Sequence, residues 1–466
     1  MTTTLAVQSA GGRAGRITPS SPESVVRAVD PNRPHRQRIR RAVGVLASIA
    51  IALSLFVAPD SVAAAPTASG GWLHTAGSAV VTESGGDFTI KAVNWFGLET
   101  ATCAPHGLWQ ISLDQAMDQI ASFGFNTIRL PYSSECIAGT AAAVSGIDTA
   151  RNPALLGLTP LQIMDKVVAA ASARNLRVIL DRHRPDSASQ SELWYTDRYS
   201  EQQWIADWVM LATRYAANPT VIGADLQNEP RGKACWGCGD PAVDWAAAAT
   251  RAGSAVLTAN PHLLILVEGV EKQALAGTTW WGGGLADVAA HPITLSVPAQ
   301  LVYSAHDYPA SIGAQSWFSA SNYPANLPAL WDKNWGYLQK KHIAPVLLGE
   351  FGTKLATKSD TAWLNALVSY LGANHMGFAY WAYNPNSADT GGLVADDWRT
   401  PQRAKLDALA PLLSGSTAAP IPAPMTVPGA PTIGAAGVLG ANSATVTWTA
   451  PVSNGGSVVT GYSVQV

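Results

Sequence analysis

Between Trp72 and Leu413, short runs rich in β-branched residues alternate with stretches of helical period, and nothing else in the sequence restricts the fold so strongly. The runs are Ile90 to Trp95, Asn126 to Leu130, Leu176 to Asp181, Val221 to Gln227, Leu263 to Glu268, Leu301 to His306, Pro345 to Gly349 and Gly377 to Trp381. Strands separated by helices pair in parallel, and eight such units close into an α/β fold of the (β/α)8 TIM barrel type. Between the second and third runs, Leu161, Met164, Val168 and Ala171 recur at the three-and-four spacing of one buried helical face. Ahead of the first run, Trp72 to Thr89 predicts a small hairpin with Gly85-Gly86 at its turn. A chain of 466 residues, 47% hydrophobic, has ample material for such a core.

The two ends of the chain read differently. Arg36, Arg38, Arg40 and Arg41 precede the apolar run Ala42 to Ala58 and the small residues Ala63 to Ala65. A positive flank, a short apolar core and an Ala-x-Ala site predict a secretory leader, so residues 1–65 are expected to be an extension and signal peptide; an uncleaved anchor is the alternative. The barrel is expected over 66–413. From Ser414 to about residue 427, alternating Pro and small residues predict a semi-rigid spacer. Beyond it, Pro428-Gly-Ala-Pro431, Ala444-Thr-Val-Thr-Trp448 and Gly461-Tyr462-Ser-Val-Gln-Val466 resemble the first strands of a fibronectin type III domain. Residues 428–466 are too few for an immunoglobulin-like sandwich of roughly 100 residues, so this β-sandwich fragment is expected to be partial. The four cysteines of an exported chain predict disulfides. Cys235 and Cys238 are one candidate pair and Cys103 and Cys136 the other; three connectivities exist, and a zinc site on Cys235 and Cys238 lacks a second ligand pair.

A net charge of −2 with only 13% charged residues offers no basic face for nucleic acid and favours a neutral ligand. Trp, at 17 residues, outnumbers both Tyr and Phe, and indole rings suit the C–H faces of sugars, although most are expected in the core. In a barrel of this kind the chemistry gathers at the C-terminal ends of the strands. Those ends carry Arg129 and Tyr132, Asp181 and His183, Asn228 and Glu229, Glu268, His306 and Tyr308, Glu350, and Trp381. Glycoside hydrolysis needs two carboxyls, one to protonate the departing oxygen and one to attack the sugar or activate water. Glu229 and Glu350 fit as acid and nucleophile. Arg129 and Tyr308 are expected to keep Glu350 ionised, while the Glu350 charge raises Glu229. A metalloenzyme built on Asp181, Glu229 and Glu268 is the competing chemistry, and a non-catalytic carbohydrate-binding protein the competing class.

The stretches Gly124-Phe-Asn-Thr-Ile-Arg-Leu-Pro-Tyr132, Ile179-Leu-Asp-Arg-His183, Leu226-Gln-Asn-Glu-Pro230, His306-Asp-Tyr308, Leu348-Gly-Glu-Phe-Gly352 and Tyr380-Trp381 together resemble glycoside hydrolase family 5, and within it the actinobacterial endo-β-1,4-glucanases. The resemblance implies that Glu229 is the acid/base, Glu350 the nucleophile, and Arg129, His183, Asn228, His306, Tyr308 and Trp381 their supporting residues. It leaves Asp181 and Glu268 as structural neighbours. Trp381 is expected to floor the subsite of cleavage, with Trp109 and Trp281 stacking on flanking sugars. The implied substrate is a β-glucan polysaccharide, cellulose first, with mannan or xyloglucan as alternatives. No cofactor, metal, nucleic acid or, after leader removal, membrane is called for, and a secreted, extracellular monomer is expected.

Overall fold

The computed structural model describes residues 15–17, 71–138, 144–414, 428–440, 443–453, 459 and 462–464. Of the expected 1–65 extension and leader only residues 15–17 are described, and of the 414–427 spacer only Ser414. Contacts divide the chain into two units, one of Thr67–Pro424 and one of Met1–Pro66 with Met425–Val466.

In the first unit the eight strands are β1 (Lys91–Asn94), β2 (Thr127–Ser133), β3 (Arg177–Arg184), β4 (Val221–Asp225), β5 (Leu264–Glu268), β6 (Leu301–His306), β7 (Val346–Phe351) and β8 (Gly377–Tyr380). Each pairs in parallel with the next, and β8 pairs with β1, so the sheet is a closed barrel. The intervening helices bury one face each. Helix α1 (Leu113–Ser122) starts with a Ser112/Gln115 capping box and buries Leu113, Ala116, Met117 and Ile120. Helix α2 (Pro160–Ser172) starts with a Thr159/Gln162 box and Pro160 at its first position. Its buried stripe is Ile163, Met164, Val167, Val168 and Ala171, with Leu161 only half-buried, so the face lies slightly round from the one expected.

The hairpin ahead of β1 exists, but its turn is not the one the sequence suggested. Leu73–Ala76 pairs with Ala79–Thr82 across Gly77-Ser78, where Gly77 supplies the positive φ of +59° that a two-residue hairpin turn requires. Gly85-Gly86 makes a second reversal that brings Phe88 N–H back to Val80 O. Both reversals serve one end of the barrel: Leu73, Val80, Phe88 and Ile90 form an apolar cluster with Ala92, Ile179, Ile222, Leu264, Leu266, Val302, Leu347 and Ala379.

Side chains alternate along a strand, so inward positions recur every second residue. Two residues above the apolar cluster the barrel interior changes character. Asn94, Arg129, Asp181, Asp225, Glu268 and Ser304 are all fully buried. The second unit, described by itself, contains the antiparallel pair Thr432–Gly440 and Ser443–Thr449, and Tyr462–Val464 paired with Gly15–Ile17.

Candidate active site

Arg129, on β2, is the hub of the polar layer. Its Nε donates to Asp225 at 2.8 Å, Nη1 to Asn94 at 2.9 Å and Glu350 at 2.7 Å, and Nη2 to Asn228 at 3.0 Å and Glu268 at 2.9 Å. Asp181 lies 3.1 Å from Nη1. One guanidinium thus faces four buried carboxylates, which without it would repel one another in a medium that screens them little. Oxygens of Asp181, Asp225 and Glu268 converge within 4.8 Å. That grouping resembles a metal site, but Arg129 contacts all three and fills its centre. The alternative of a metal on Asp181, Glu229 and Glu268 does not form, because Glu229 turns toward His306 and Glu350.

Above this layer stand the two glutamates. Glu229 follows β4 in a left-handed conformation, φ +45°, with its N–H donated to Glu268 Oε2 at 2.7 Å. For a residue with a Cβ this conformation costs on the order of 1 kcal/mol, and the Glu268 bond helps hold it. Glu350 reaches the interior through a bulge. Along β6 and β7, Ala305 pairs with Leu348 but His306 pairs with Glu350, so Gly349 is an extra residue. A Cβ on Gly349 would lie 2.3 Å from Ser304 Oγ, so Gly349 and Glu350 both point inward. Carboxylate oxygens of Glu229 and Glu350 lie within 4.8 Å of each other.

His306 joins the pair. Its Nδ1 is 3.1 Å from Glu229 Oε1 and 3.6 Å from Glu350 Oε2, and its Nε2 is 3.3 Å from Glu268. Burial favours a neutral imidazole, but the surrounding carboxylates, Glu268 and Glu350 first, outweigh it and hold His306 protonated well above the ordinary histidine range. This reverses the electrostatics expected for the two glutamates. On Glu229, burial is outweighed by the hydrogen bond and charge of His306, and the carboxyl lies below its ordinary value. Burial raises Glu350 against the charges of His306 and Arg129. The contacts expected for Glu350 are nevertheless in place, from Arg129 and from Tyr308 Oη, which donates at 2.8 Å.

His183 rises from β3, bonded through Nδ1 to Asp181 at 2.7 Å. Burial lowers its pKa to about 4, so the ring is neutral. Nδ1–H then donates to Asp181, and Nε2 accepts the Gln190 amide at 3.4 Å. Trp381 lies parallel to both the His183 ring (5.3 Å) and the Phe96 ring (5.4 Å). Rings continue from Phe96 to His106 and on to Trp109, which is 36% exposed. Trp109 is therefore at the far end of this line and does not border the cleft at the two glutamates. Trp281 does, 50% exposed, with Arg231 over one face at 4.6 Å. Tyr132 points the other way, buried against Trp208, as its odd spacing from Arg129 requires. The cysteines pair as Cys103–Cys136 and Cys235–Cys238.

Several partners escaped the sequence reading. Asp225 and Asn94 hold Arg129, and Trp280, Trp317 and Gln190 line the cleft. A charge closing the apolar run Val221-Ile-Gly-Ala-Asp225 was the available signal, since a buried carboxylate needs a partner. No such signal marked the others.

Residues 82–387 match Cellulase (glycosyl hydrolase family 5). The Endoglucanase of Paenibacillus polymyxa is 48% identical over 80% of this chain and 95% of its own length. The Major extracellular endoglucanase of Xanthomonas campestris pv. campestris is 40% identical over 71% of this chain and 69% of its own. The solved structure of the catalytic domain of the major endoglucanase from Xanthomonas campestris pv. campestris superposes with a TM-score of 0.70 at 40% identity, covering 74% of this chain and 100% of the other. A cellotetraose complex of the endocellulase from Pyrococcus horikoshii gives 0.70 at 36% identity, covering 75% and 100%. The chain belongs to the cellulase family of glycoside hydrolases, glycosyl hydrolase family 5.

Proposed function

We propose that the protein is a secreted endo-β-1,4-glucanase that cleaves cellulose or a related β-glucan with retention of anomeric configuration. The observation that carries this reading is the gap between Glu229 and Glu350. One oxygen of each within 4.8 Å suits direct attack on the sugar, for which carboxyl groups stand about 5–5.5 Å apart, better than the about 6.5–9.5 Å that admits the water of an inverting enzyme. A Glu350 oxygen attacks the anomeric carbon, the bond to the glycosidic oxygen breaks, and Glu229 delivers a proton to that oxygen as it leaves. Glu229 then takes a proton from water, which attacks the same carbon and expels Glu350. His306, held protonated by the surrounding carboxylates, stands with Nδ1 3.1 Å from Glu229 Oε1, one proton transfer away.

A cleft bordered by Trp280, Trp281, Trp317 and Trp381 offers stacking faces to more than one sugar, which supports attack within a chain as opposed to its end. Asn228, whose Nδ2 is buried without a protein partner, is suited to donate to a sugar hydroxyl. Two disulfides fit an oxidising compartment, and among the described residues no helix is long and apolar enough to cross a membrane. Residues 428–466 are read as a fibronectin type III-like fragment, supported by the antiparallel pair and by Trp448 packed on Tyr462.

Proton NMR of cello-oligosaccharide hydrolysis tests the mechanism: the β-anomer must form first, and the α-anomer would overturn it. Reducing-end release from carboxymethyl cellulose, with a steep early fall in viscosity, is expected to exceed that from mannan and xyloglucan.

A further inference from the structure

Trp280 has no part in the chemistry above, yet it touches its centre. The loop leaving β5 runs through Trp280-Trp281-Gly282-Gly283-Gly284 and folds back on the end of β6. Two bonds from this loop fix the backbone of His306. Its N–H donates to Gly282 O at 3.1 Å, and its carbonyl accepts the Trp280 indole N–H at 2.7 Å. So close an approach depends on missing side chains. A Cβ on Gly282, at φ +70°, would lie 2.8 Å from His306 Cβ, and one on Gly283 would lie 2.1 Å from the Trp280 ring. Meanwhile the Trp280 ring, half-buried, packs on Trp317 at 5.4 Å and borders the cleft.

His306 needs such anchoring. Its imidazole stands within 4 Å of Glu229, Glu268 and Glu350 at once, at 3.1, 3.3 and 3.6 Å, so a small displacement trades one partner for another. Proton transfer tolerates little of this, since a shift of about 1 Å at a reacting geometry costs about 100-fold in rate.

The geometry points to Trp280 as a positioning residue that, through its indole N–H, holds His306 where Nδ1 serves Glu229 in protonating the leaving sugar. The inference rests on the reading of Glu229 as the acid. Tryptophan is thereby used for its single donor as well as its ring, so phenylalanine does not replace it.

The test compares two substrates in one enzyme preparation. Phenyl β-cellobioside needs a proton on its departing oxygen, whereas dinitrophenyl β-cellobioside, with the same sugars, releases a stable phenolate that does not. For Trp280→Phe, kcat/KM on the phenyl glycoside is expected to fall about 10-fold further than on the dinitrophenyl glycoside, within the roughly 100–10,000-fold that general acid catalysis supplies. The ratio does not depend on the fraction of protein folded. Gly282→Ala, which presses on His306 from the other side, is expected to show the same asymmetry. Equal losses on both substrates, or none, in Trp280→Phe would overturn the inference. Glu229→Ala run alongside separates the two levels: absence of asymmetry there sinks the assignment of the acid, and asymmetry there without it in Trp280→Phe sinks only the role of Trp280.

Discussion

Along β5, Leu264 and Leu266 belong to the apolar plug at the lower end of the barrel, whereas Glu268, two residues further on, touches Arg129, His306 and the backbone N–H of Glu229. The same contrast runs up β3 from Ile179 to Asp181 and His183, and up β6 from Val302 through Ser304 to His306. One set of strands therefore carries a self-sufficient hydrophobic layer below and a layer of mutually dependent charges above. Apolar burial is non-directional and roughly additive, so the lower layer stabilises without specifying a reaction. Buried charges are stable only in company, so each residue of the upper layer constrains the others.

The largest effect expected from dividing the two layers is on rate. Glu350→Gln is expected to lower kcat on cello-oligosaccharides by about 10,000-fold or more, with oligosaccharide binding retained in calorimetry. Its melting temperature is expected to hold, because the change neutralises one charge in a cluster with an excess of carboxylates. A wild-type rate would remove the nucleophile from the upper layer. Next comes Arg129→Met, which strands Asp181, Asp225, Glu268 and Glu350 without their shared cation. Denaturant unfolding is expected to show a loss of about 3–5 kcal/mol, together with loss of activity. Leu266→Ala probes the lower layer. It leaves a cavity beside Gly223 and is expected to cost about 2–4 kcal/mol of stability with kcat per folded molecule unchanged; a fall in kcat there would mean that the layers are coupled.

The smallest expected effect is the response to pH. Burial raises Asp181 and Asp307 to about 7 and Asp225 to about 6. Below these values and above the unfolded-chain value of about 4, the folded state binds more protons than the unfolded one, so stability falls as pH rises through that window. His306, raised well above 6.5, keeps its contribution at lower pH and loses it only at higher pH still. The melting temperature is therefore expected to be higher at pH 5 than at pH 8. Asp307→Asn, which keeps an oxygen to accept from Trp331 and Trp363, is expected to flatten part of that slope.

The sequence exposed the architecture because β-branched runs and their spacing follow directly from strand and helix periodicity. All eight strands fall on the expected runs, with β2, β3 and β7 extending further. The ring of residues at the strand ends was legible for a related reason, since parallel barrels present those ends to one mouth. Three things were not legible. The hairpin turn at Gly77-Ser78 competed with an equally glycine-rich Gly85-Gly86, and only the register with Val80 and Phe88 decides between them. The bulge at Gly349 leaves no mark in composition, although strict alternation from Leu347 would have turned Glu350 outward. The direction of the Glu229 and Glu350 shifts depends on the charge of His306, which its distances to three carboxylates determine.

Arg129 has a consequence beyond its contacts. Many clusters of acidic groups borrow their counter-charge from solution, and their occupancy then varies with what the surroundings supply. Here the counter-ion is written into the chain between Ile128 and Leu130 and travels with it. It cannot be diluted, stripped by a chelator or outcompeted by another ion, and its local concentration is set once, when the barrel closes. The barrel carries, in that one side chain, the ionic environment its polar layer requires.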